Sequence, residues 1–572
     1  MAWRETYEHW KTAENLAPMV RDALDKMTLE EAEEAFSGRL SFGTAGMRGL
    51  LGPGTNRMNF YTVRQATQGL ADLIKSAGEE AKDAGVAIAY DSRHCSSEFA
   101  MQAALVLGYH GIKVYLYESL RPTPTLSFAV RYLKAYAGIM ITASHNPAAY
   151  NGYKVYGQDG GQMPPAEADQ LTQFVAAVED PLTIPVGDKT ELLGSGKIEI
   201  IGERVDQAYL EAMKTVTINP ELNQAMADQV KIVFTPLHGT GYYLGLKALK
   251  QAGFDDVHIV EDQAKEDGDF PTVESPNPES AAAFDLAEQL GRKVEADILL
   301  ATDPDADRLG AMIRQTDGSY QLLTGNQIAC LILNYLLQAK QAQGQLNPRA
   351  VAVKSLVSTD LANRIAADYG VEMVEVLTGF KFIAEKIKQY EANQSHEFVM
   401  GFEESYGYLI QPFVRDKDAI QALVILAELT AYHKQAGRTL AQALEALYQR
   451  YGYFQERTLS IQFPGLKGQT VMADMMSKVR QSNIQELAGI QVAQKADYLT
   501  SQKVYADGRQ TSLNYPVSDV LKYTLADGSW VAMRPSGTEP KIKLYIGAQA
   551  DQAQASLDKA QALEVALKDL IK

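Results

Sequence analysis

The chain has 572 residues, 46% of them hydrophobic and 22% charged, which supports several apolar cores and excludes a disordered chain. Its formal net charge of -17 argues against nucleic acid or an anionic membrane surface as a main partner, and any phosphate site must gather cations or a metal locally. The two cysteines, Cys95 and Cys330, form no disulfide framework, so a reducing, cytoplasmic setting is expected. The opening segment MAWRETYEHWKTAENL is polar and carries no apolar signal core. No stretch reads as a membrane span; the nearest, residues 419–431, is broken by Gln421 and Glu428.

Along the chain, short apolar runs alternate with polar loops and helical periods. Helices are predicted over 63–75, 98–109, 280–290, 327–338 and 418–432, and strands over 137–143 (AGIMITA), 231–235 (KIVFT), 296–302 (ADILLAT), 350–353 (AVAV) and 397–400 (EFVM). This alternation predicts α/β architecture with largely parallel sheets. At roughly 150 residues per domain the length suits about four domains. Boundaries are placed near 205, 325 and 455, giving segments 1–205, 206–325, 326–455 and 456–572. The last segment has fewer strong runs, a strand-like WVAM at 530–533 and a helical Ala/Gln/Leu/Lys tail.

Four unusual polar loops each begin at the end of an apolar run: TASHNP (142–147), DPDADR (303–308), FEESYG (402–407) and RPSGTEPK (534–541). Ligands of open α/β sheets bind outside the carboxyl ends of strands, so these loops are the candidate site. Asp303, Asp305 and Asp307 alternate directly after a strand-like run; such close carboxylates repel unless a cation compensates, and oxygen ligands suit Mg²⁺ or Ca²⁺. An EF-hand is excluded because its required Gly and Glu positions hold Arg308 and Arg314. Ser144 lacks the G-x-S-x-G context of an esterase, and His145, as its chain neighbour, is expected to point away from it. A phosphorylated serine beside a bound cation would instead be a good phosphoryl donor.

In RPSGTEPK, Arg534 offers a planar fork to phosphate, and Ser536, Gly537, Thr538 and Lys541 can complete an anion nest; the loop is no Walker A motif. Glu403 and Ser405 suit sugar hydroxyls. Arg415 and Lys417 add cations that could hold a phosphate.

Together and in this order, these loops resemble the α-D-phosphohexomutase superfamily, most of all its phosphoglucomutase branch, over nearly the whole chain from GTAGMRG at 43–49 onward. The resemblance implies three similar mixed-sheet α/β domains plus a smaller C-terminal α+β domain around a central cleft. It implies interconversion of α-D-glucose 1-phosphate and glucose 6-phosphate through a phosphoserine and a glucose 1,6-bisphosphate intermediate. Ser144 falls on the phosphorylated serine, and Asp303, Asp305 and Asp307 with the phosphoserine fall on the ligands of one Mg²⁺. Arg48, His145 and Lys154 fall near the serine as candidates for proton transfer or transition-state charge. Thr378, Gly379, Glu403 and Ser405 fall on sugar contacts; Arg308 and Lys417 are further substrate contacts; Arg534, Ser536, Gly537 and Thr538 fall on the loop for the non-transferring phosphate. Glucose 1,6-bisphosphate is the implied activator, a small sugar phosphate the only partner, and the chain a monomer or weak homo-oligomer.

Two departures matter. The metal loop has Pro304 and Ala306 where many relatives have glycines, so ordinary backbone angles are expected there. The sugar loop ESYGY lacks the histidine common in the bacterial phosphomannomutase branch. Phosphopentomutase, phosphomannomutase and bisphosphate synthase activities remain alternatives within the superfamily. A Mg²⁺-dependent phosphatase with an aspartyl nucleophile and a non-catalytic sugar-phosphate sensor are alternatives of other classes.

Overall fold

The apolar runs fold as the buried centres of mixed sheets, and helices cover them. In the computed structural model, residues 2–571 are described except Asn15, 43–45, 464–467 and 537–540. The chain divides into two units: unit 1 holds the residues up to Leu323 with Ala384–Gln394 and Tyr406–Thr439, and unit 2 holds Thr324–Ile383, Ser395–Ser405 and the chain from Leu440 onward.

The first sheet of unit 1 comprises β1 (Gly46–Leu50), β2 (Val86–Tyr90), β3 (Val114–Tyr117), β4 (Ala137–Ile141), β5 (Tyr150–Tyr156) and β6 (Ile198–Ile201), in the order β1-β5-β4-β2-β3-β6. Strands β4, β2, β3 and β6 run parallel, while β5 is antiparallel to both β4 and β1. All five residues of β4 are buried, the signature of a central parallel strand covered on both faces. A second sheet comprises β7 (Ile232–Thr235), β8 (Val257–Ile259), β9 (Ile298–Thr302), β10 (Leu309–Arg314) and β11 (Tyr320–Leu322), in the order β11-β10-β9-β7-β8. The 280–290 helix begins as a 3₁₀ turn, Ala281–Phe284, and continues as the α-helix Asp285–Val294. Helix Ala419–Gln435 is apolar on nearly every side because it is buried against helices Pro220–Met226 and Gly241–Gln251; Asp418 caps its first turn. Sequence reasoning had no account of the N-terminal helices Ala2–Thr12, Pro18–Lys26 and Leu29–Phe36, where Trp10 meets Phe36 and Tyr61 edge-on.

In unit 2, β12 (Ala350–Ser355) pairs in parallel with β13 (Glu372–Val376) and β14 (Glu397–Glu403). The C-terminal part carries a sheet of eight strands, antiparallel throughout its described pairings and far richer in strands than expected. Its longest members are Tyr453–Gln462 and Lys541–Ala550, and helices Gly468–Gln481 and Ala553–Leu570 contribute to its core. The architecture is three α/β domains followed by a C-terminal domain. Among the described residues, no helix is long and apolar enough to cross a membrane.

Candidate active site

Ser144 follows β4 and Asp303 follows β9, so two carboxyl-terminal strand ends of unit 1 deliver the two loops. They meet: Ser144 Oγ donates to Asp303 Oδ2 at 2.6 Å. Ser144 is 6% exposed and holds the left-handed backbone conformation, φ 53°. Its N–H donates to Thr142 Oγ1 at 2.8 Å, which fixes the turn. The expectation that Ser144 and His145 diverge fails: His145 Nδ1 lies 3.2 Å from Ser144 Oγ. The positive φ at Ser144 accounts for this, since it re-aims a side chain relative to its neighbour. Ser275 Oγ donates to the His145 carbonyl at 2.7 Å. Arg48, on β1, donates through Nη1 to Asn146 Oδ1 at 3.1 Å.

The three aspartates are buried, and each offers an oxygen within 4.8 Å of the others. Asp303 Oδ1 accepts from the N–H groups of Asp307 (3.1 Å) and Arg308 (3.0 Å), which leaves Oδ2 to the serine. Oδ1 of Asp305 and Oδ1 of Asp307 are buried without a hydrogen-bond partner. Burial, with Asp305 and Asp307 adding repulsion, pushes the Asp303 carboxyl well above the usual carboxylate range. Burial would push Asp305 the same way, but Lys154 beside it wins and holds it below that range. Lys154 Nζ stands 2.8 Å from Asp305 Oδ2 and 3.6 Å from Asp307 Oδ2; Lys417 Nζ stands 3.1 Å from Asp307 Oδ2. Three clustered, buried carboxylates, two of them with an oxygen that no hydrogen bond satisfies, are a donor set for a hard divalent cation, so the residues fit the implied metal. The expectation of ordinary backbone angles in this loop is overturned, because Ala306 has φ 49°. Its N–H donates to the Asp303 carbonyl at 2.9 Å and its carbonyl accepts from Ala419 at 3.2 Å, so the surroundings hold a conformation that alanine disfavours. Arg308 turns to Glu279, with Nη1 at 2.7 Å, and its Nε is 3.8 Å from Asp307. The Arg415 side chain is fully buried and pairs with Glu391.

Unit 2 carries residues 402–405 of the third loop, whose Tyr406 and Gly407 belong to unit 1, and the whole of the fourth. Glu403 ends β14, 5% exposed, and its Oε1 accepts from the N–H of Gly379 at 2.7 Å. Gly379 has φ 122°, a conformation that favours glycine. Thr378 Oγ1 is buried with no hydrogen-bond partner among the described residues. Ser405 is half-buried in the turn after β14, and the neighbouring Glu404 accepts from Ser355 Oγ at 2.8 Å. Arg534 lies near the end of strand Trp530–Pro535, opposite Lys543, and the Ser536 N–H donates to the Lys541 carbonyl at 2.7 Å. Gly537 and Thr538 lie outside the described residues.

Several contributors were not singled out from sequence. Thr123 Oγ1 donates to Asp305 Oδ2 at 2.8 Å. Asp416 accepts from Tyr156 OH (2.8 Å), Gln162 Nε2 (3.0 Å) and Lys417 Nζ (3.0 Å), which holds Lys417 towards the aspartates. Asp91 and Arg93 lie directly under the serine loop; the segment DSR follows the buried strand VAIAY, so the strand-end rule already applied to the other loops would have found them.

Family models of phosphoglucomutase/phosphomannomutase α/β/α domains I, II and III match residues 39–181, 207–318 and 324–451, and the model of the C-terminal domain matches 475–564. A phosphoglucomutase of Staphylococcus saprophyticus is 37% identical over 534 residues, covering 93% of this chain and 95% of its own. One from Staphylococcus epidermidis is 40% identical with the same coverage. In fold, the chain resembles the Paramecium phosphoprotein parafusin, a phosphoglucomutase, in its open form (TM-score 0.66, 18% identity, 93% and 96% of the two chains). It also resembles a phosphoglucomutase/phosphomannomutase family protein of Burkholderia thailandensis (TM-score 0.65, 18% identity, 92% and 97%). With all four domain models matched in order, and relatives at this identity along nearly the full length, the chain belongs to the phosphoglucomutase/phosphomannomutase family of the α-D-phosphohexomutase superfamily.

Proposed function

We propose that the chain interconverts α-D-glucose 1-phosphate and glucose 6-phosphate through a phosphorylated Ser144. The observation that carries this reading is the 2.6 Å bond from Ser144 Oγ to one member of a buried carboxylate triad. A lone serine signifies little; a serine against three acids that need a cation is placed for phosphoryl transfer. The names of the Staphylococcus relatives support glucose as the sugar.

In the forward half-reaction the P–Oγ bond of phosphorylated Ser144 breaks as a bond forms to a sugar hydroxyl. That hydroxyl loses its proton, and Oγ ends protonated. His145 Nδ1, 3.2 Å from Oγ, is the group we assign to the proton at that end. The bisphosphate then reverses and returns its other phosphate to Ser144. Asp303, Asp305 and Asp307, with a phosphate oxygen on Ser144, would hold one Mg²⁺. When bound, the ion supplies positive charge against the charge that builds on the transferring phosphoryl oxygens. Lys154 and Lys417 add cations on the same side of the triad, and Arg48 orients the serine loop through Asn146. Glu403, Ser405, Thr378 and Gly379 are assigned to sugar hydroxyls, with Arg308 a further substrate contact. Arg534, Ser536, Gly537 and Thr538 are assigned to the phosphate that is not transferred.

The test is turnover of glucose 1-phosphate against mannose, ribose and glucosamine phosphates, with Mg²⁺ and a trace of glucose 1,6-bisphosphate, in parent and Ser144→Ala. Glucose is expected to lead, the parent to carry acid-stable phosphate, and Ser144→Ala to lose nearly all turnover. Net phosphate release with an acid-labile acyl phosphate would replace the mutase by a phosphatase, and parental kinetics in Ser144→Ala would refute the covalent route.

A further inference from the structure

The serine loop is wound around one guanidinium. Arg93 is 3% exposed. Its Nη1 donates to the carbonyls of Pro147 (2.9 Å) and Tyr150 (3.1 Å), and its Nη2 donates to the carbonyls of Ser144 and Asn146. Four main-chain acceptors within seven residues thus converge on one side chain. Its Nε stands 3.3 Å from Asp91 Oδ2, and the guanidinium lies 5.0 Å over the ring of Phe270. Asp91 is itself buried and accepts from Thr142 Oγ1 (2.6 Å), Ser96 Oγ (2.8 Å) and the Arg93 N–H (3.1 Å). Thr142 Oγ1 in turn receives the Ser144 N–H. Ser144 is therefore gripped at both main-chain polar groups, its carbonyl by Arg93 and its N–H through Thr142 and Asp91.

Carbonyl oxygens crowded together repel, and a non-glycine residue at φ 53° is disfavoured by itself. The loop keeps this shape because a planar, permanently charged fork satisfies several acceptors at once. We infer that Arg93, anchored by Asp91, is a positioning residue for the phosphoryl-carrying serine: it fixes the loop so that Oγ points at the metal aspartates. This rests on the mutase reading above. Arg93 touches none of the groups assigned to the sugar or to the non-transferring phosphate. Its loss should therefore disturb transfer and leave substrate binding intact.

The variant is Arg93→Lys, which keeps the charge and loses the fork, with Asp91→Asn as the second variant should Arg93→Lys fail to fold. Steady-state kinetics with glucose 1-phosphate and amide hydrogen exchange across the whole chain are measured on each. The expected result is a kcat lower by about 10²-fold, as for a reacting atom misplaced by about 1 Å, with KM unchanged within about twofold. Exchange should accelerate about tenfold or more in residues 142–150 while most of the chain keeps parental protection. Parental kcat and parental exchange would overturn the inference, as would a raised KM at unchanged kcat. A parent inactive on every sugar phosphate would sink the mutase reading instead. Exchange alone would then decide Arg93, with parental protection of 142–150 in the variant counting against it.

Discussion

Gly239 holds the metal loop in place by having no side chain. It lies after β7, and the next residue, Thr240, donates to the Pro304 carbonyl through both its N–H (2.8 Å) and its Oγ1 (2.9 Å). A Cβ at position 239 would stand 2.3 Å from the Pro304 Cα, 2.5 Å from its carbonyl oxygen and 2.8 Å from its carbonyl carbon, where ordinary contact begins at 3.4 Å. All three atoms are main chain and cannot rotate away. The two loops must part by about 1.1 Å to restore contact distance, the difference between 3.4 Å and the 2.3 Å to the Pro304 Cα. Gly239 is not among the glycines of positive φ, so Gly239→Ala tests this steric wedge and not backbone strain. Overpacking of this kind costs about 1–3 kcal/mol, and a shift of that size at Pro304 moves Asp303 and Asp305. The expected outcome is a folded protein with kcat reduced by about 10²-fold, a raised half-saturating Mg²⁺ concentration, and little change in KM for the sugar phosphate. Kinetics over a Mg²⁺ titration, with calorimetric Mg²⁺ binding as a readout free of turnover, make the measurement. Parental kcat and parental Mg²⁺ affinity in a folded Gly239→Ala would refute the idea that the 237–241 loop sets the metal loop.

Two other predictions concern buried charge. Asp305→Asn removes a carboxylate whose Oδ1 has no hydrogen-bond partner. It should weaken Mg²⁺ binding by calorimetry at least about tenfold and cripple transfer, and unchanged binding would move the metal elsewhere. Glu456, in unit 2, has its pKa raised to about 7 by burial, against a hydrogen bond from Thr359 and the charge of Lys354 that lower it. Its ionised form is thus disfavoured in the fold, and this contribution to stability declines as pH rises from about 4.5 through about 7. Glu456→Gln should be near neutral at pH 5 and stabilising by roughly 2 kcal/mol at pH 8, after discounting for its partial exposure. Urea melts at the two pH values check this, and equal effects at both would show that the carboxyl is not shifted.

The strands most legible in the sequence are those covered on both faces. AGIMITA and ADILLAT read as runs because every residue of β4 and β9 is buried. Strand Tyr453–Gln462 forms no apolar run, because Phe454 is the one buried residue among its ten and Glu456 and Arg457 interrupt it. Of the site, the residues whose chemistry is unusual for their neighbourhood stood out: three alternating aspartates, a serine at a strand end. Those that act by holding others did not. Thr123 belongs to an ordinary segment, and although Arg93 stands just past the end of a buried strand, only the fold shows what either side chain grips. Ala306 and His145 were misjudged for one reason. Local preference does not hold where hydrogen bonds from elsewhere in the chain, from the Ala419 N–H to the Ala306 carbonyl and from the Arg93 guanidinium to the Ser144 carbonyl, support a left-handed turn.

The left-handed turn at Ser144 also bears on which amino acid could carry the phosphate proposed for this position. Threonine offers the same nucleophile and forms an equally stable ester, yet its second Cβ substituent makes this backbone region a steric outlier. Selection between two alcohols of like reactivity therefore falls to main-chain geometry, and this position accepts the unbranched one.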